Sequence, residues 1–499
     1  MLAGRSGTIT QGSFRVIYKL GRANKLRSRI RDETKIGRGD TESGIRCARM
    51  RKTSACCGQL AYKFSSLRRH LNLSNLALDG GKRVILQPLN PNRPVALVKV
   101  APSVTQVELN RELEVLGYAF PFGPLVSDVT IAGAIATSSH SANFNEPSMG
   151  GFMTAVRLID GRGSVRQFSE NRTPVVMKAL RCNLGLLGIV FEIEMKVVPL
   201  ETVSVRRVFT PLRNLFKSHF LRHLVTKNYI VNVMYGAYNS LTEEEARWAL
   251  ETGRVPRTWD SANDLVLLQI INPSSKSVNL AIEDKRPESA PNVTVVSLGQ
   301  TRFNQLLSAP AFVISNLSQA THVPAAVLDK TEFSEYTIQH STFTEDAKVL
   351  KVLSSLLNEK SYKKGIQPLQ LGLFRWFAGA NCFLCAGSAT VGRNRHDKTK
   401  DLGHFASFHL HDLVDSRQDI KRARAFQTAV IQEWDKIGNF GRPHWGKVLQ
   451  VFPNLKQRIK LSYGLDLDIF KTIRESLDAH GVFTNAFLRY LFDIKRKIR

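Results

Sequence analysis

The run Thr130-Ile131-Ala132-Gly133-Ala134-Ile135-Ala136-Thr137-Ser138-Ser139-His140-Ser141 consists almost wholly of small or hydroxylic side chains, and Gly150-Gly151 follows shortly. Small side chains let a bulky polar group lie against the backbone. Successive N–H groups in a turn form an anion-binding concavity, to which Thr137, Ser138 and Ser139 add hydroxyl donors. A diphosphate suits that chemistry, although two closely packed backbones use the same residue types. Further on, the alternation of a strand puts His409 and His411 on one face, at the spacing of a two-histidine metal site. No third ligand is evident in the sequence, so a hydrogen-bonded strand face is the favoured reading and no metal is expected. Cys382-Phe383-Leu384-Cys385 is a lone CxxC, with Cys47, Cys56-Cys57 and Cys182 elsewhere. With no secretory signal visible, these read as reduced thiols packed in a strand or turn.

The elements around the small-residue run give it a setting. Val95 to Val100 reads as a strand, and Val107 to Leu116 as a helix with Leu109, Leu113 and Leu116 on one face and Gly117 past its end. Ala155 to Ile159 and Ser164 to Phe168 read as a hairpin about Asp160-Gly161-Arg162-Gly163. Thr173-Pro174 predicts a helix start, with Thr as N-cap and Pro in the first turn. Ile189 to Val197 alternates as a strand. Downstream, Asn239-Ser240 before an acidic run predicts a helix start, Asp346 to Leu357 an amphipathic helix, and Ala423 to Trp434 another.

These residues resemble the vanillyl-alcohol-oxidase (PCMH) type of FAD oxidoreductase, and within it the sugar 1,4-lactone oxidases. Thr130 to Ser141 is similar to the family's TIGGAIATGTHG segment and Gly188-Ile189-Val190 to its GxLGIV segment. Arg442-Pro443-His444-Trp445-Gly446-Lys447 is similar to RPHWxK of gulonolactone and arabinonolactone oxidases, and Asp478 to Leu488 to the closing DPxGxFxNxYL segment. Glu335-Tyr336-Thr337-Ile338 resembles the EYAIP strand of the substrate cap. The likeness runs from about Ser74 to Leu488 and is patchy in the middle.

The resemblance implies an α+β protein with a two-part FAD-binding domain and a separate α+β substrate cap. The expected boundaries are a basic tail over 1–60, an FAD-binding part over 61–200, a cap over 201–440, and a return to the FAD domain over 441–499. It also implies oxidation of a D-arabinono- or L-gulono-1,4-lactone by hydride transfer to flavin N5, with O2 or cytochrome c as acceptor and H2O2 as the product with O2. Thr130, Ile131, Gly133, Ala134, Thr137, Ser138, Ser139, His140, Gly188, Ile189 and Val190 would contact FAD. Lys447 would stabilise charge on the reduced flavin. His444 would orient the substrate hydroxyl or accept its proton, an imidazole being titratable near neutral pH.

Two departures qualify this. Nothing matches the family's first phosphate loop, GxGHS, whose histidine bonds covalently to FAD in several members, so FAD is expected to bind non-covalently. Where the family often has PxExR, this chain has Pro368-Leu369-Gln370-Leu371-Gly372. Gln370 is left as the polar contact to a sugar hydroxyl, and Arg375 could enter that role only if the register slips. A catalytically impaired or truncated homologue is therefore a competing reading.

A third reading comes from charge. The 499 residues carry a formal net charge of +28. Residues 1–70 supply 17 Lys plus Arg against 4 Asp plus Glu, close to half of that excess. Such a segment suits mitochondrial targeting, attraction to anionic lipid or nucleic acid, or no role at all. Peripheral membrane association and a mitochondrial or other membrane-associated location are favoured, with the cytoplasm next. No basic-aromatic motif points to nucleic acid, and no stretch of 18 apolar residues predicts a membrane span.

Overall fold

The computed structural model describes residues 78, 83–88, 96–121, 123, 128–275, 282–286, 309–320, 331–388, 402–414, 416–438 and 440–494. The basic segment 1–60, with Cys47, Cys56 and Cys57, lies outside the described residues.

Alternating apolar residues build a first antiparallel sheet from β1 (Val84–Pro88), β2 (Ala96–Val100), β3 (Tyr118–Ala119), β4 (Met153–Ile159), β5 (Val165–Ser169) and β6 (Ile189–Pro199). The strand order is β1-β2-β6-β4-β5, with β3 also pairing β6. Helix α1 (Gln106–Val115) opens with a capping box: the Thr105 hydroxyl accepts from Glu108 N, and the Glu108 carboxylate accepts from Thr105 N. Gly117 then takes a φ of 75°, which a glycine adopts without strain. The small-residue run forms α2 (Ile131–Ala136), and α3 (Pro174–Leu180) follows β5. Thr173 precedes α3 but caps none of its N–H groups; its hydroxyl bonds instead to the backbone of Ser169. Asp160 closes the β4–β5 hairpin by accepting from Arg162 N and Ser164 N.

A second, eight-stranded antiparallel sheet follows: β7 (Thr202–Pro211), β8 (Ile230–Tyr235), β9 (Leu265–Pro273), β10 (Phe312–Asn316), β11 (Thr331–His340), β12 (Leu369–Ala378), β13 (His404–Leu413) and β14 (Arg442–Pro443). Its order is β10-β7-β9-β8-β12-β13-β11-β14. Helices α4 (Ser218–Lys227), α5 (Glu243–Thr252), α6 (Leu317–Ala320), α7 (Phe343–Lys364) and α8 (Arg417–Asp435) lie between its strands in the chain. The start expected at Asn239-Ser240 falls instead at Thr242, which forms a capping box with Glu245. The chain ends in α9 (Leu455–Leu477), kinked at Gly464, and α10 (Ala486–Phe492).

Two large cores result. One joins side chains of the first sheet, such as Val98, Leu158 and Ile193, to Trp445, Tyr463, Phe470 and Leu488 from the end of the chain. The other lies between the second sheet and α4, α7 and α8, around Trp376, Phe408, Leu350 and Trp434.

Asp412 faces that second core and is wholly buried. Burial raises its pKa to about 8, opposed by the hydrogen bond from Gln427 (2.7 Å) and aided by the neighbouring Glu332. In the unfolded chain the same carboxyl ionises near 3.9. Between about pH 4 and about pH 8 the folded state thus keeps a proton that the unfolded state has lost, and stability falls as pH rises through that window. Asp412→Asn removes this titration. Urea midpoints measured at about pH 5 and about pH 8 should fall less in the variant than in the wild type; an equal fall in both would show that Asp412 does not titrate there.

Candidate active site

Strand register decides which side chains meet. Cross-strand pairing aligns Leu373, His409 and Glu335 in one row, and Arg375, Ser407 and Thr337 in the next. A third row holds Leu371, His411 and Phe333. Side chains alternate along a strand, so these odd-numbered residues share one face. Tyr336, Ile338, Phe374, Trp376, Ala406, Phe408 and Leu410 occupy the opposite face, in the helix-backed core.

On the first face Glu335 is wholly buried, and a ring of polar groups surrounds it. Its Oε1 accepts from Ser407 Oγ (2.9 Å) and Thr337 Oγ1 (3.3 Å) and lies 2.6 Å from His140 Nε2. Its Oε2 lies 3.4 Å from His409 Nε2. Arg375 Nη2 donates to His409 Nε2 at 3.0 Å. Burial alone would raise the Glu335 pKa, but the imidazoles of His409, His444 and His140 outweigh it and hold this carboxyl well below its usual range.

The motif Arg442 to Lys447 meets the small-residue run here. His444 Nδ1 accepts from Gly446 N (3.0 Å), so Nε2 carries the hydrogen and donates to Ser138 O (3.2 Å). Both ring nitrogens are thereby engaged, and burial pushes the pKa down to about 3. His444, expected from the resemblance to orient the substrate hydroxyl or accept its proton, is held here as a neutral ring tying the two segments together. Trp445 Nε1 donates to Leu384 O (2.6 Å), and Arg442 donates to the carbonyls of Ala386 and Ser462. Lys447 lies over the Phe333 ring, 4.0 Å from its centroid.

The run itself is folded differently from the open cradle predicted above. The N–H groups of Ile131 and Ala132 donate to Val104 O and Pro102 O, and those of Ala134, Thr137, Ser138 and Ser139 donate back to Thr130, Gly133, Ile135 and Ala134 carbonyls. Thr130 Oγ1 caps Gly133 N, the Thr137 hydroxyl donates to Gly133 O, and Ser138 Oγ accepts from Ala386 N. A diphosphate could use these groups only by displacing those bonds, because one helical turn already consumes them. The glycines are explained by close approach: a Cβ on Gly150 would lie 2.2 Å from Arg181 O. Ser138 holds a φ of 67° where the resembled motif has Gly. Ile131 and Ala134 lie in the core, while Ile189 and Val190 sit on the β4–β6 ladder just after Gly188, where a Cβ would lie 2.7 Å from Ile159 O.

Gln370 falls in β12 at a register irregularity between Leu369 and Leu371, and its side chain is outside the described residues. Beyond that irregularity Arg375 pairs with Ser407 and lies on the site face. Sequence reasoning did not place Glu335, Arg375, Ser407 and His409 together. Glu335 at the head of the EYAIP-like segment of β11 was the available signal. His140, Glu335 and His409 offer ligand atoms within 4.8 Å of one another, a set able to hold a transition ion. Arg375 donates to the His409 nitrogen that such an ion would use, and the Lys447 charge also acts on that ring. The reduced-thiol expectation is also corrected: the turn at 382–385 brings two Cα atoms to 5.9 Å, and Cys382 and Cys385 form a disulfide, while Cys182 is free and buried.

Comparison with known proteins adds a family. Residues 405–491, which include His409, His444 and Lys447, match the family described as D-arabinono-1,4-lactone oxidase (ALO). The chain is 28% identical over 154 residues to a putative D-arabinono-1,4-lactone oxidase of Neurospora crassa, covering 31% of this chain and 26% of that protein. It is 23% identical over 180 residues to L-gulonolactone oxidase of Bos taurus, covering 31% and 41%. It is 26% identical over 208 residues to Delta(24)-sterol reductase of Homo sapiens, covering 40% and 37%. The chain thus spans well under half the length of each of these relatives. Around the ALO domain the fold extends further: cholesterol oxidase from B. sterolicum superposes with a TM-score of 0.61 at 14% identity, over 82% of this chain and 83% of that one. The α+β architecture is the fold of that cholesterol oxidase.

Proposed function

We propose that this chain is an FAD-dependent oxidase of a sugar 1,4-lactone, of the D-arabinono- or L-gulono-lactone class. The observation that carries the reading is the contact of the ALO domain with the small-residue run through the His444–Ser138 hydrogen bond, beside a buried acid and two cations. Bound FAD would supply the two-electron acceptor. At its ring end, Lys447 and Arg375 would bring positive charge to the edge where a reduced flavin is anionic. The phosphate end rests on the sequence reading of Thr130 to His140 and Gly188 to Val190, with non-covalent attachment. Arg375 and His409 orient a lactone hydroxyl, and the apolar side chains around them exclude water. O2 is the favoured final acceptor, giving H2O2, with cytochrome c the alternative. No helix among the described residues is long and apolar enough to cross a membrane; membrane association, if present, would be peripheral, through the basic residues 1–70.

The test is reconstitution of the purified full chain with FAD, followed by anaerobic addition of D-arabinono-1,4-lactone or L-gulono-1,4-lactone. Bleaching of the oxidised flavin band, with peroxide formed on readmitting O2, is the expected result. Absence of any flavin band after reconstitution would sink the reading. A stable flavin band that neither lactone bleaches would instead favour the impaired homologue, the reading to which the closed N–H groups of Ile131 to Ser139 lend support.

A further inference from the structure

Helix α9 sets one side against the first core, through Ile459, Tyr463, Leu467 and Phe470. Its other side faces solvent and carries two leucines, Leu461 at 63% and Leu465 at 56% exposure. Lys460, Gly464 and Asp468 lie on the same exposed side. Lone exposed leucines are ordinary, whereas neighbouring ones bounded by charges mark a contact surface.

Gly464 is the centre of that side. Its φ of 45° and ψ of −123° break the helix there, a backbone form that suits glycine. A Cβ at this position would meet nothing within 4 Å, so no described part of the chain occupies the space. A glycine facing open space lets a second backbone approach closely. Beside the kink the Ser462 carbonyl accepts from Arg442 Nη2 at 3.2 Å, so this bend also seats the Arg442 to Lys447 motif.

The exposed residues run Lys460, Leu461, Gly464, Leu465, Asp468 along the helix, and that order complements its own reversal. Two copies of α9 laid antiparallel about a twofold axis at Gly464 put Leu461 of one copy beside Leu465 of the other. The same axis brings Lys460 to Asp468 at both ends, since an isologous contact occurs twice. A parallel arrangement would set Lys460 against Lys460, and like charges in contact are unfavourable. Asp468 already lies 3.5 Å from Lys471 on its own helix, but an exposed pair of this kind contributes little and leaves the carboxylate able to take a second cation.

We propose that this face is a self-association surface, through which two copies of the chain pair antiparallel along α9. The proposal stands apart from the oxidase reading. An apolar centre with a charged rim is the build of a protein interface, and the two Lys460–Asp468 pairs fix its orientation. One helix side is a small contact, so the dimer is weak, with a Kd of about 10 μM or above. Pairing braces the kink against which Arg442 is held.

The test uses the purified full chain at physiological ionic strength, where the net charge of +28 is screened beyond about 8 Å while charges in contact still act. Sedimentation equilibrium over a series of concentrations should show monomer and dimer in exchange. Zero-length carbodiimide coupling of an equal mixture of isotope-labelled and unlabelled chain should give a mixed-mass peptide pair joined at Lys460 and Asp468, which only two copies can produce. Lys460→Glu and Asp468→Lys each turn attraction into repulsion at both ends and should each raise the Kd about tenfold or more; the double variant should return to within about threefold of wild type. Leu465→Glu, a change at an exposed position, should abolish the dimer and leave the melting temperature unchanged. A chain that stays monomeric at every concentration would overturn the proposal, as would a monomer that uses this face to bind anionic lipid vesicles instead. A dimer lacking the Lys460–Asp468 cross-link, or one whose Kd ignores the single charge swaps, would place the interface elsewhere and overturn it equally.

Discussion

Lys447→Met should slow flavin reduction by an aldonolactone by about 100- to 1000-fold, the range seen when one preorganised group that stabilises developing charge is removed. The reason is electrostatic. Burial is the main cause of the lowered His409 and His444 pKa values, and the Lys447 charge adds to the lowering at both, so that charge is felt within the site. Methionine keeps the length and packing of the side chain over Phe333 and removes only the ammonium. The lost cation–π contact, worth about 0.5–1 kcal/mol, leaves the fold standing. Stopped-flow reduction under anaerobic conditions measures the effect, with the melting temperature as control. A loss under about tenfold, with the fold intact, would remove Lys447 from the chemistry, being well below the cost of a lost charge-stabilising donor.

Arg458→Met should destabilise the protein by about 3 kcal/mol, near the low end of the cost of breaking a buried ion pair because Asp435 keeps some solvent contact. Arg458 is 1% exposed and donates to Asp435 Oδ1 (3.0 Å) and Gly441 O (2.9 Å), with its other nitrogen also on Asp435. Asp435 in turn accepts from the Tyr336 hydroxyl at 3.0 Å. One node therefore fixes β11, the end of α8, the start of α9 and the residue before Arg442. A loss of that size is a large part of the net stability of an ordinary domain. Urea unfolding of the two proteins checks it: an unchanged midpoint would mean that the node contributes nothing net. Since the node also seats the chain that carries His444 and Lys447, activity should fall with stability when measured near the melting temperature.

Local rules were readable along the chain. The alternation of Ile189 to Val197, the helix after Thr105 and the Asp160 turn each depend on neighbours a few residues apart, and each formed close to where its pattern placed it. Caps were less legible, because Thr173 and Asn239 each offer a suitable oxygen that the folded chain uses elsewhere or passes over for Thr242. The disulfide between Cys382 and Cys385 was missed for a similar reason, since a CxxC is equally a packed turn until the path of that turn is known. The small-residue run shows the same ambiguity at the level of function: the residues that let a phosphate approach are those that let a backbone approach, and composition does not separate the two.

What the sequence determined alone was the set of elements around the small-residue run, the run itself, and the Arg442 to Lys447 motif, which lies in the stretch matching the D-arabinono-1,4-lactone oxidase family. Tertiary structure decided which side chains share the site. Glu335 and His140 are 195 residues apart, and their meeting depends on the pairing of β11 with β13 and on His444 binding Ser138 across 306 residues. The register irregularity at Gln370 turned Arg375 to the same face. A strand has period two, so a slip of one residue exchanges its buried and site-facing sets. Local sequence fixes neither that register nor the partner strand, which are set by packing of the opposite face against Trp376, Phe408 and Trp434.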